Sequence, residues 1–146
     1  MEFYTLNQVI NNLRTICAAH GQVSQFRFGS DVDISASEQQ LYPLVWVDVT
    51  TSQIGYKLLS LNLIIMVMDI QKADQTNEQD TLSDTLSIAQ DIFAALNNST
   101  YQDYFTVNEN ASLEPIREGL PDLVNGWKMN LNLELEQLNN RCQIPT

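Results

Sequence analysis

The stretch 57–71, KLLSLNLIIMVMDIQ, allows few folds. Leu59, Leu61, Leu63, Ile65 and Val67 recur at every second position, so an extended chain carries one wholly apolar face. The opposite face runs from Leu58, Ser60 and Asn62 to Ile64, Met66 and Met68, polar at one end and apolar at the other. A helix would place Ser60 and Asn62 inside its apolar side. The stretch reads as a long central strand, buried on both faces toward its second half, on which helices and shorter strands pack.

The flanking segments fit that frame. Leu6, Val9, Ile10, Leu13, Ile16 and Cys17 fall at spacings of three and four, which predicts a helix over 4–20. Thr5 and Gln8 form a capping-box pair at its start, and Gly21 stands where it would stop. Residues 22–29 alternate as a strand, and 30–40 are polar and acidic, a long loop or arm that extends to 41. Residues 41–49, LYPLVWVDV, are β-rich, with Pro43 at the start or edge of a strand. Leu44, Trp46 and Asp48 share one face of it; Val45, Val47 and Val49 share the other. Residues 50–56 with Gly55 read as a hairpin turn, or as a longer arm whose tip reaches beyond the sheet.

A second helix is expected over 77–97, opened by Thr76 or Asn77 and by Glu78, Asp80 and Asp84. Its apolar stripe is Leu82, Leu86, Ala89, Phe93 and Leu96, widened by Ile88 and Ile92. The outer acids Asp80, Asp84 and Asp91 read as a solvated face. Residues 104–107 and 112–117 read as short strands joined by a turn at 108–110, and 123–135 as a closing strand with one wet face. Trp46 and Trp127 fall within alternating strands and read as core. The expectation is one α+β domain over 1–146: an antiparallel sheet with a long central β-hairpin, both helices on one face, and arms at 30–41 and 137–146.

The chemistry-bearing residues are sparse. His20 is the sole histidine, and Cys17 is three residues from it, but two ligands do not make a structural zinc site. Asp31 and Asp33 lack the further alternate ligand and closing Glu of a calcium loop. No Gly-rich phosphate loop and no nucleophile elbow is present. Cys17 and Cys142 read as reduced thiols, the alternative being a disulfide that joins the two ends of the chain. Neither an enzyme nor a cofactor is expected, and no membrane association. With 18 acids against 7 bases, a net charge of −11 opposes binding to nucleic-acid phosphates. The surface is instead rich in Asn, Gln, Ser and Thr, a composition that tolerates contact between like copies.

In the order of these elements the chain resembles the tail-completion (tail-terminator) and head–tail connector proteins of tailed bacteriophages. The segments carrying the resemblance are YPLVWVDV entering the hairpin, DTLSDTLSIAQDIFAAL in the second helix, and SLEPIREGLPDLVNGWKMNLNLEL in the closing strands. The resemblance implies a structural virion protein assembled in the host cytoplasm. Copies would form a homo-oligomeric ring of six or twelve at the neck or tail end, in contact with portal, connector or tail-tube proteins. DNA would pass the lumen without specific binding. Asp31, Asp33, Glu38, Gln53, Tyr56 and Glu118 are the expected interface residues. The alternatives are an enzyme or small-ligand binder with a pocket between the sheet and helix 77–97, acting as monomer or dimer, and an adaptor that forms no ring.

Overall fold

A computed structural model describes residues 5–29, 41–70, 77–97, 105–117 and 124–136. The fold is α+β, with two helices laid on one face of a six-stranded mixed sheet. In chain order the elements are α1 (Leu6–Ala19), β1 (Gln25–Phe28), β2 (Leu44–Ile54), β3 (Leu58–Ile70), α2 (Glu78–Leu96), β4 (Phe105–Val107), β5 (Ser112–Arg117) and β6 (Val124–Glu136).

The central strand forms as its alternation requires. β3 sits between β2 and β6, antiparallel to both, and pairs with β6 over its whole length from Leu58↔Glu136 to Ile70↔Val124. Leu61, Leu63, Ile65 and Val67 point to the helices and join a core with Val45, Val47, Met129, Leu131, Leu133 and Leu135. α1 contributes Val9, Ile10, Leu13 and Cys17 to that core, and α2 contributes Ile88, Ala89, Ile92 and Leu96. On the opposite face Leu44, Trp46, Met66, Met68 and Val124 form a second buried cluster, so the latter half of β3 is buried on both sides.

α1 starts as its capping residues dictate. Thr5 Oγ1 accepts from the Gln8 amide at 3.3 Å, and Gln8 Oε1 accepts from the Thr5 amide at 2.7 Å. It ends at His20, whose Nδ1 accepts from the Gln22 amide at 3.1 Å. The other ring nitrogen, Nε2, lies 2.9 Å from Asp91 Oδ2 on α2. Asp91 is therefore not merely solvated; it ties the two helices together.

Several details depart from the sequence-based expectation. β1 pairs with β2 in parallel, Gln25↔Leu44 through Phe28↔Val47, which breaks the all-antiparallel pattern. A parallel pair needs a connection of a dozen or more residues, and the long segment between Phe28 and Leu44 supplies it. The buried face of α2 is also rotated. Thr81 and Thr85 are buried in the first turns, while Leu82, Leu86 and Phe93 are only half-buried. The threonines tolerate this because each hydroxyl bonds a carbonyl of its own helix, Thr81 to Asn77 at 2.8 Å and Thr85 to Thr81 at 2.7 Å. Asn77 occupies the N-cap position, but its side chain makes no cap hydrogen bond.

β4 and β5 do not pair with each other. They follow one another along the same edge of β6, at Leu133–Leu135 and Asn125–Asn130 respectively. The Asn108 amide bonds the Asn132 carbonyl at 3.0 Å, and Asn108 Oδ1 accepts from the Asn110 amide, so residues 108–110 form a kink in one edge and not a hairpin turn. The expected arm 137–146 and, apart from Leu41, loop 30–41 lie outside the described residues.

Candidate functional site

The hairpin β2–β3 changes character halfway along. From Leu44 to Val47 strand β2 is fully buried; from Thr50 to Ile54 every residue is exposed. The change falls at a bulge between Val49 and Thr51, where Thr50 is the extra residue and its Oγ1 donates to the Asn62 carbonyl at 3.0 Å. A bulge shifts the side-chain alternation by one and bends the strand. Before it, odd-numbered residues of β2 face the helices; after it, the pairings Ser52↔Leu61 and Ile54↔Leu59 put even-numbered ones there. Ile54 thus lies on the helix side of the sheet, yet it is 79% exposed, while Leu59 beside it and Leu135 beyond pack into the core.

The arm ends in a tight turn, with the Gly55 amide donating to the Leu58 carbonyl at 2.7 Å. A β-carbon at Gly55 would sit 3.3 Å from that same oxygen, which favours glycine here. The tip presents Ile54, Tyr56 (81% exposed) and Leu58 (44% exposed) to solvent. Lys57 is the one charged residue between Asp48 and Asp69, and its Nζ lies 6.0 Å from the centroid of the Tyr56 ring. Three apolar or aromatic side chains on one projecting tip are costly to leave in water unless something covers them.

The polar half of β3 holds the arm together across strands. Asn62 Nδ2 donates to Thr51 Oγ1 at 2.7 Å. Asn132 Nδ2 donates to Asn62 Oδ1 at 2.7 Å and to Ser60 Oγ at 3.1 Å. This ladder crosses β2, β3 and β6 on the side of the sheet opposite the helices, without a single charge. It stiffens the arm where no hydrophobic layer covers it. Beyond the four residues paired with β1, no strand among the described residues pairs with the outer edge of β2, so the backbone groups along Thr50–Ile54 form an open edge.

Of the expected interface residues, Gln53 and Tyr56 both lie on this arm, Gln53 exposed near its end and Tyr56 at the tip. Asp31, Asp33, Glu38 and Glu118 lie outside the described residues. In the sequence Ile54 falls within the expected turn or arm at 50–56 and Leu58 at the polar end of the second face of the central strand, so neither stands out as part of an apolar tip. The signal that marks them is position: they flank Gly55 at the turn.

Elsewhere, the surface of α2 toward the sheet is filled by Ile88, Ala89, Ile92 and Leu96. A depression of about 340 Å³ lies instead between α1 and β1, lined by Arg14, Cys17, Ala18, Val23 and Phe26 among others. The Arg14 guanidinium lies over the Phe26 ring at 5.4 Å. Burial pushes the free Cys17 thiol up to about 12, so it stays neutral and unreactive. No group of three or more His, Cys, Asp or Glu is placed to hold a metal among the described residues. No described helix is long and apolar enough to cross a membrane. Trp127 is half-buried and its Nε1 donates to the Leu82 carbonyl of α2 at 2.8 Å; Trp46 Nε1 donates to the Gly29 carbonyl at 2.7 Å. Both indoles serve packing. No protein-family model matches the chain, and no curated protein matches it.

Proposed function

We propose that this protein is a structural subunit of a tailed-phage particle, a tail-terminator or head–tail connector whose copies close into a ring at the neck or tail end. The observation that carries the reading is the projecting hairpin, stiffened by an uncharged amide ladder and tipped by Ile54, Tyr56 and Leu58. Such an arm does no chemistry alone. It is built to reach a neighbour, and a head-to-tail contact that repeats closes into a ring. The element order, with its long hairpin between two helices, agrees with that of the phage family named above.

The charge balance suits a conduit. With a net charge of −11, a ring of this chain repels phosphates and lets DNA move through without capture. The test is size-exclusion chromatography with light scattering, followed by electron microscopy, on the protein alone and with portal or tail-tube proteins. Rings of six or twelve copies are expected, and duplex DNA is expected to show no binding at physiological salt. A monomer or dimer under every condition, including with those partners, would refute the reading.

A further inference from the structure

Resting on that ring reading, we infer that the arm tip of one copy seats in the depression between α1 and β1 of the next. Each copy carries both the tip and the depression. They lie on different parts of the fold, which is what a repeating head-to-tail contact needs.

The argument from charge is the most direct. Two copies of a chain with 18 acids repel wherever carboxylates meet. Residues 5–29, which build α1, β1 and the depression, contain no Asp or Glu, and residues 49–68, which build the arm, contain none either. All 18 acids lie elsewhere. The two segments thus bring no carboxylate of their own to the contact; the acids placed beside them are Asp91 at His20 and, on β6, Glu134 and Glu136 opposite Ser60 and Leu58. Of the cations they bring, Arg14, Arg27 and Lys57, Arg14 lies against the Phe26 ring and Lys57 against the Tyr56 ring.

Shape and backbone point the same way. The depression is lined by the apolar atoms of Cys17, Ala18, Val23 and Phe26, and the tip offers Ile54 and Tyr56, both about four-fifths exposed. β1 pairs with β2 on one side, and among the described residues its other edge carries no strand. The arm likewise has an open edge along Thr50–Ile54. Laying that edge beside β1 of the neighbour adds a strand to the sheet and delivers the tip side chains to the depression.

The test is a cysteine pair in the full chain on a Cys142→Ser background. Ala18→Cys is exposed on the rim of the depression, and Tyr56→Cys is on the tip. Under mild oxidation the double variant should give a ladder of disulfide-linked species up to the ring size, which collapses on reduction. Either single variant should give none. Ile54→Asp should weaken association at least tenfold at an unchanged melting temperature.

Rings seen by light scattering without the ladder would overturn this contact and leave the ring reading standing. Linked dimers and nothing larger would show a reciprocal two-fold exchange and overturn the head-to-tail contact. Monomers at every concentration, with no linkage in the presence of portal or tail-tube proteins, would overturn both.

Discussion

The two halves of the β2–β3 hairpin are continuous in backbone and opposite in environment. In the basal half, Val45, Val47, Ile65 and Val67 are packed under the helices, while Trp46, Met66 and Met68 are buried on the other face. In the distal half the strands keep their pairing, but Asn62, Ser60 and Thr51 replace apolar groups on one face, and Ile54 meets water on the other. Pairing therefore does not require burial once the register has been fixed. The basal half is packed on both faces; in the distal half Leu59 and Leu61 keep the helix side of β3 against the core, and amide and hydroxyl bonds hold the other face.

The sharpest test of the basal half is Gly126, which pairs with Met68. A β-carbon there would lie 1.8 Å from the Val67 carbonyl oxygen, a collision with backbone that no rotamer relieves. Gly126→Ala should cost about 3 kcal/mol or more, or prevent folding, as read by urea denaturation. A near-neutral result would mean that β3 and β6 separate easily at the base.

Ile65 and Ile54 compare the halves directly, since both sit on the helix side of the sheet. Ile65→Ala removes a fully buried side chain and should cost about 2–5 kcal/mol. Ile54→Ala should change stability by less than ~0.5 kcal/mol. Equal costs would mean that the arm is covered in the monomer.

The base also holds one polar mismatch. Asn125 is fully buried and neither of its amide atoms is hydrogen-bonded. Asn125→Leu should stabilise the fold by about 1–3 kcal/mol in the same denaturation assay, because it removes unsatisfied groups from the interior.

Cys17 gives the base a pH limit. Its thiol is raised from 9.0 to about 12 by burial, so the folded protein keeps the proton that the unfolded chain releases. Stability from this site is complete below pH 9 and declines above it, by about 1.4 kcal/mol per pH unit until the folded value is reached. Cys17→Ala should flatten that alkaline slope in pH-dependent unfolding. The polar ladder of the arm gives a further, modest effect. Asn132→Ala breaks two ladder bonds and should cost about 1 kcal/mol, with faster amide hydrogen exchange along 50–62 and none at the base.

Much of this architecture is legible in the chain. The alternation around Leu59–Val67 predicts the central strand and its burial on both faces; the pattern from Leu6 to Cys17 and the Thr5–Gln8 pair predict α1 with its cap. Those patterns are local, and the physics that reads them is local as well. The rotation of α2 is not legible, because threonine counts as polar in a sequence and as near-aliphatic once its hydroxyl bonds its own helix. Nor is the parallel pairing of β1, since the strand's composition is the same whichever way its neighbour runs.

The arm shows where the division falls. The sequence by itself determined that residues 57–71 would be extended, which faces would be apolar, and that a glycine turn would precede them. Only the tertiary structure decided that β2 would run on to Ile54, that Thr50 would bulge, and that Ile54, Tyr56 and Leu58 would stand in water. Burial depends on what packs against each strand of the sheet. That is a relation between segments far apart in the chain, and no residue carries it alone.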